Sequence, residues 1–146
     1  MNSNLPNRPI LIVEDNPMDL DMTLEGFKEI QLDNIFDICR DGEEAIVYIE
    51  NHRDNSMLNF PCLVLLDLKL PKVDGLDVLK YIRDDEVWKK IPVIILTTSS
   101  GDEDIDRAYK IGANSYLIKP VDSRAFIEVA NNIKSFWLTT NKSPFK

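Results

Sequence analysis

Several side chains able to do phosphoryl chemistry stand directly behind short apolar runs. Glu14 and Asp15 follow Ile10–Val13, Asp67 follows Cys62–Leu66, Thr97 follows Val93–Leu96, and Lys119 follows Ser115–Ile118. Arg40 and Asp41 follow a weaker run, Ile35–Cys39. A carboxylate such as Asp67 attacks phosphorus only where the charges of the two reactants are screened from each other. Glu14, Asp15 and Asp67 gathered in one crevice would repel one another and call for a counter-charge. Their all-oxygen donor set points to Mg²⁺ or Mn²⁺ rather than to zinc, which favours His or Cys. The Thr97 hydroxyl and the Lys119 ammonium would serve the remaining phosphoryl oxygens.

These residues converge only if the runs are neighbouring strands. Near-continuous apolar character over strand length fits strands covered on both faces, as in a parallel sheet. Between the runs, apolar residues recur at helical spacing, as in Leu20, Leu24, Phe27 and in Phe126, Ala130, Ile133, Trp137. Asn16 before Pro17 reads as an N-cap with proline at the first helical position, and Asp41-Gly42-Glu43-Glu44 resembles a capping box. Two further helices are predicted at Leu76–Asp84 and Asp102–Ile111, the second ended by Gly112. Strand and helix thus alternate five times, which predicts a doubly wound α/β sandwich of the flavodoxin-like (βα)5 kind. In the order 2-1-3-4-5 the first and third strands flank the switch point where ligands bind, and Glu14, Asp15 and Asp67 meet there. The polar stretch from Asn51 to Phe60 is expected to be a surface loop after a short second helix. His52, the one histidine, is expected to be solvent-exposed within it.

Composition narrows the function classes. The 146 residues carry 17 Lys and Arg against 25 Asp and Glu, a net charge of −8, with 44% hydrophobic residues. That length supports one domain with a core of its own, here from about residue 9 to 137 with short tails. The acidic balance argues against a broad basic surface for nucleic acid or anionic lipid. No apolar run is long enough to span a membrane, and the amino terminus lacks a signal-peptide pattern. Cys39 and Cys62, each inside an apolar segment, read as reduced, buried packing residues of a cytoplasmic protein.

Four motifs then carry a resemblance: Val13-Glu14-Asp15-Asn16, Leu66-Asp67-Leu68-Lys69-Leu70-Pro71-Lys72-Val73-Asp74-Gly75, Ile95-Leu96-Thr97-Thr98-Ser99 and Tyr116-Leu117-Ile118-Lys119-Pro120. Thr97 lies 30 residues after Asp67, and Lys119 lies 52 after it. From Pro9 to about Trp137 the chain resembles the receiver domain of two-component response regulators, the chemotaxis-regulator fold. The resemblance implies that Asp67 is the phosphoacceptor, and that Glu14, Asp15, Asp67 and the backbone carbonyl of Lys69 hold the metal. It implies that Thr97 is the switch hydroxyl, Lys119 the phosphate-binding lysine and Tyr116 the rotating aromatic. It also implies a cis Lys119-Pro120 bond and a histidine kinase as phosphodonor. Glu14 stands where Asp is more frequent, so its longer arm is expected to reach the metal through water. Lys69 and Ser99 stand where receivers tune phosphoryl lifetime, which predicts hydrolysis that is not especially fast.

A narrower similarity is to single-domain regulators partnered with cyanobacterial phytochromes. It rests on Arg40-Asp41-Gly42, Ile91-Pro92-Val93, Leu96-Thr97-Thr98-Ser99 and Ser135-Phe136-Trp137-Leu138. Phe136 and Trp137 are adjacent on a helix and point in different directions, so one is expected to pack inward and the other to suit a homodimer interface. Only a short stretch follows the last predicted helix, too short for a helix-turn-helix.

Three other readings are weaker. A Mg²⁺-dependent phosphohydrolase would want a second Asp two residues after the nucleophile, where this chain has Lys69. A flavin carrier would want a phosphate cradle after the first strand, where Glu14-Asp15-Asn16-Pro17 repels phosphate. A phosphorylation-independent interaction module would be expected to lack one of the acidic, hydroxyl or lysine positions, and none is missing.

Overall fold

The computed structural model describes residues 8–53 and 60–142. The two tails, and most of the loop expected between Asn51 and Phe60, fall outside the described residues. The elements run β1 (Ile10–Val13), α1 (Pro17–Glu29), β2 (Phe36–Cys39), α2 (Gly42–Asn51), β3 (Leu63–Leu66), α3 (Gly75–Asp84), a 3₁₀ turn (Trp88–Lys90), β4 (Val93–Thr97), α4 (Asp102–Ile111), β5 (Ser115–Ile118), α5 (Ser123–Ser135) and a π-helical turn (Phe136–Thr140). All five strands are parallel, in the order β2-β1-β3-β4-β5. The doubly wound sandwich expected from the alternation is therefore the fold. No helix among the described residues is long and apolar enough to cross a membrane.

The apolar runs are continuous because alternate side chains feed two separate cores. Leu11, Val13, Val64, Leu66, Val93 and Ile95 face one cluster, closed by Ala45, Ile49, Leu79, Ile82 and Ala108 from α2, α3 and α4. Ile10, Ile12, Leu63, Leu65, Ile94 and Leu96 face the other, closed by Leu20 and Phe27 of α1 and by Phe126, Ala130 and Ile133 of α5. A shift of one residue would exchange the two sets, so the register Val13–Leu66 between β1 and β3 is tightly specified. That register puts Glu14 and Asp67 side by side.

Local signals place the helix starts. The Asn16 side chain accepts from the N–H groups of Met18 at 2.9 Å and Asp19 at 3.0 Å, with Pro17 in the first turn. Asp41 accepts from the Glu44 N–H at 2.8 Å. Glu44 in return accepts from the N–H of Arg40 at 2.9 Å, one residue earlier than the reciprocal bond of a regular capping box.

Two glycines are demanded by close approach. A Cβ on Gly75 would lie 2.2 Å from the Asp67 carbonyl oxygen, and one on Gly42 would lie 1.9 Å from the Val73 carbonyl oxygen. Both press on the segment that follows Asp67. Gly42→Ala is therefore expected to push that segment off α2 and to lower stability by about 1–3 kcal/mol. A urea midpoint equal to wild type would contradict this.

Two expectations about packing need correction. His52 is not simply solvent-exposed: it is half-buried at the end of α2, its ring stacks on Tyr48 with centroids 4.0 Å apart, and Nδ1 lies 2.7 Å from the Tyr48 carbonyl oxygen. The helical i, i+4 spacing of the two residues brings the rings together. Cys39 is buried as expected, but Cys62 is only half-buried, with its thiol 3.7 Å from the Arg8 carbonyl oxygen. It precedes β3 and sits at the rim of the second core. Both cysteines are free thiols.

Candidate functional site

The carboxyl ends of β1, β3 and β5 bring Glu14, Asp15, Asp67 and Lys119 to one crevice, and Thr97 ends the neighbouring strand β4. Backbone bonds fix their bases: the Glu14 N–H donates to the Cys39 carbonyl at 2.9 Å, that of Asp67 to Val13 at 3.1 Å, and that of Lys119 to Thr97 at 2.8 Å. Each side chain therefore leaves the sheet from a held position rather than from a free loop.

Lys119 is the hub. Its Nζ lies 2.6 Å from Glu14, 2.8 Å from Asp67 and 2.8 Å from Asp19, and the Lys119, Glu14 and Asp67 side chains are only 5%, 4% and 8% exposed. One buried ammonium thus answers three carboxylates. Burial pushes the Glu14 carboxyl up to about 7, helped by the like charge of Asp67 and opposed by the hydrogen bond from Lys119. Burial by itself would lower the Lys119 ammonium, but hydrogen bonds to Asp19, Asp67 and Glu14 outweigh it and hold the group above its ordinary value.

Glu14, Asp15 and Asp67 each offer a carboxylate oxygen, and these oxygens all lie within 4.8 Å of one another. Asp15 is the member most open to solvent. An oxygen-only set with one open side fits a hard divalent cation of the Mg²⁺ or Mn²⁺ kind. The Lys69 N–H points back to Asp67, donating to Oδ1 at 3.4 Å.

Around the crevice, Thr97 is fully buried and its hydroxyl oxygen accepts from the Ser99 N–H at 3.4 Å. Tyr116 is half-buried, and its hydroxyl donates to the Ser99 carbonyl at 2.9 Å. The loop after β4 is therefore tied to β5 through Tyr116. The Lys119-Pro120 peptide is trans, which corrects the cis bond that the resemblance implied. Trans is the intrinsically favoured isomer, and Lys119 reaches all three carboxylates with the bond in that form. Phe136 is 50% exposed, whereas Trp137 packs against the core beneath α1 and α5, as expected of adjacent helical positions.

Two site residues were not foreseen. Asp19 comes from the first turn of α1, and Asp104 from the first turn of α4, where its carboxylate meets Ser99 and Lys69. Acidic residues are common in first turns for their interaction with the helix dipole. The sequence carried no signal that these two also face the crevice.

A family model described as the response regulator receiver domain matches residues 10–131. The chain belongs to the response regulator receiver family. The receiver is 41% identical over 135 residues to the probable methanogenesis regulatory protein FilR2 of Methanothrix harundinacea, covering 92% of this chain and 86% of that one. It is 36% identical over 139 residues to the response regulator Rcp1 of a Synechocystis species, covering 95% of each chain. Among solved structures it is similar to the phosphorylated cyanobacterial phytochrome response regulator RcpA, with a TM-score of 0.86 and 34% identity over 94% of this chain and 99% of that one. It is also similar to the Mn²⁺-bound form of Rcp1, with a TM-score of 0.81 and 36% identity over 94% and 99% of the two chains. Receiver domains accept a phosphoryl group from histidine kinases.

Proposed function

We propose that this receiver is a phosphorylation-controlled signalling switch in which Asp67 accepts the phosphoryl group. The observation that carries the reading is the buried Lys119–Asp67 pair of 2.8 Å beside the Glu14, Asp15 and Asp67 cluster. Asp67 attacks phosphorus of a kinase phosphohistidine whose other ring nitrogen is protonated: a P–O bond forms, the P–N bond breaks with its electron pair going to nitrogen, and the histidine leaves as the neutral imidazole. Glu14, Asp15, Asp67 and the Lys69 carbonyl would hold Mg²⁺ or Mn²⁺, which supplies charge neutralisation between the incoming group and the carboxylates. Thr97 and Lys119 take the remaining phosphoryl oxygens.

The new charge then draws on Thr97, and the bond from Tyr116 to Ser99 carries that pull to β5 and the faces of α4 and α5. The surface that binds a second copy or a downstream protein changes accordingly. Half-exposed Phe136, with Trp137 beside it, is a candidate homodimer contact. We assign residues 9–137 to a single domain that works in the cytoplasm, without nucleic acid or membrane. Similarity to RcpA supports a phytochrome-type kinase as donor. The chain catalyses its own phosphorylation and slow dephosphorylation and does not turn over free esters, since Lys69 stands where such a hydrolase would have its general acid.

Intact mass and sedimentation after incubation with acetyl phosphate test this. One phosphoryl group per chain with Mg²⁺, none in EDTA, and altered self-association or partner binding in the modified form are expected. Unmodified mass under both conditions would refute the phosphoacceptor reading.

A further inference from the structure

The contact that bridges the two loops at the mouth of the crevice is made by Asp104. Its Oδ2 accepts from the Ser99 hydroxyl at 2.6 Å and pairs with the Lys69 ammonium at 3.5 Å. The bond from Ser99, followed by the charge of Lys69, holds the Asp104 carboxyl below its ordinary value, so it is ionised at neutral pH. Ser99 is itself anchored, through its carbonyl to Tyr116 and through its N–H to Thr97. The carboxylate therefore has a fixed seat, while Lys69 is an exposed arm: its side chain is 66% exposed, on a backbone only two residues from Asp67.

We propose that Asp104 is a positioning residue that sets the lifetime of the phosphorylated state by holding Lys69 away from the phosphoryl group. This rests on the reading of Asp67 as phosphoacceptor. Once Asp67 carries a phosphoryl group, Lys69 stands between two anions, the fixed Asp104 carboxylate and the new phosphoryl oxygens. While Asp104 keeps Lys69, the outer face of phosphorus stays open to water, whose oxygen bonds to phosphorus as the P–O bond to Asp67 breaks, giving inorganic phosphate and the carboxylate. When Asp104 lets go, the four-carbon arm of Lys69 lies over the phosphoryl oxygens and closes that approach. Ser99 acts through Asp104, because its hydroxyl is spent on fixing the carboxylate.

The test is the decay of the acetyl phosphate-loaded protein after the donor is removed, followed by intact mass at constant Mg²⁺. Asp104→Asn is expected to lengthen the lifetime about two- to fivefold, the factor an exposed ion pair can set. In a Lys69→Ala background the same substitution is expected to change nothing, which a general loosening of α4 would not reproduce. Ser99→Ala is expected to lengthen the lifetime in part, and Asp104→Glu to restore it towards wild type. A lifetime unmoved or shortened by Asp104→Asn, or lengthened equally without Lys69, would overturn the proposal. A wild-type chain that takes up no phosphoryl group overturns the reading of Asp67 and the lifetime role with it. Normal uptake with a lifetime indifferent to Asp104 overturns only the role of Asp104.

Discussion

Asp67→Asn should take up no phosphoryl group from acetyl phosphate and should still unfold at higher urea than wild type in the absence of metal. The first result follows from chemistry: an amide oxygen is no nucleophile towards phosphorus, and the Glu14 carboxylate, the other one buried against Lys119, is pushed up to about 7 by burial and so is only partly ionised at neutral pH. The second follows from charge. Lys119 answers Glu14, Asp19 and Asp67, and Asp15 lies beside Glu14 and Asp67, so the carboxylates of the crevice outnumber the one ammonium they share. Removing Asp67 leaves Lys119 with Glu14 and Asp19, and the Asn oxygen can still accept a bond. A gain of about 1–2 kcal/mol is expected, within the range seen when buried charge is replaced by neutral groups. Urea unfolding in EDTA measures it, and a loss of stability would show that attraction to Lys119 dominates at Asp67.

Lys119→Met should move stability in the opposite direction and by more. Its loss leaves Glu14, Asp19 and Asp67 without a counter-charge, two of them almost wholly buried. Breaking a buried pair in this way costs about 3–5 kcal/mol. Saturating Mg²⁺ should recover a large part, since it restores positive charge to the same carboxylates. Phosphoryl uptake should fall by on the order of 10²-fold even in Mg²⁺, the usual consequence of removing one fixed donor to a reacting oxygen. Unfolding curves with EDTA and with Mg²⁺, run beside the uptake rate, check both halves. Equal stability in EDTA would mean that the carboxylates shed their charge by protonation rather than rely on Lys119.

The paired substitutions differ in sign for one reason. Lys119 is a single cation shared by several anions, so the loss of any one anion is expected to leave the fold intact and the loss of the cation is expected to weaken it. The same asymmetry explains why the crevice suits a hard divalent ion: the cluster is short of positive charge even with Lys119 in place.

The sequence by itself determined the sheet, its two-sided burial and the residues at the strand ends. A run such as Leu63–Leu66 is apolar at every position only if both faces are covered, and caps such as Asn16 and Asp41 act within four residues of themselves. Spacing along the chain then carried Glu14, Asp15, Asp67, Thr97 and Lys119 to one end of the sheet. What only the tertiary structure decided was how each helix is rotated about its axis. Asp19 reaches Lys119 because α1 is turned by Leu20 and Phe27 packing on the sheet and by Gly26 seating against the Phe126 ring of α5. Asp104 meets Lys69 and Ser99 because two loops far apart in sequence close over the same helix start. Each rests on a competition between local preference and packing partners distant in the chain, which a one-dimensional pattern of polar and apolar residues does not record.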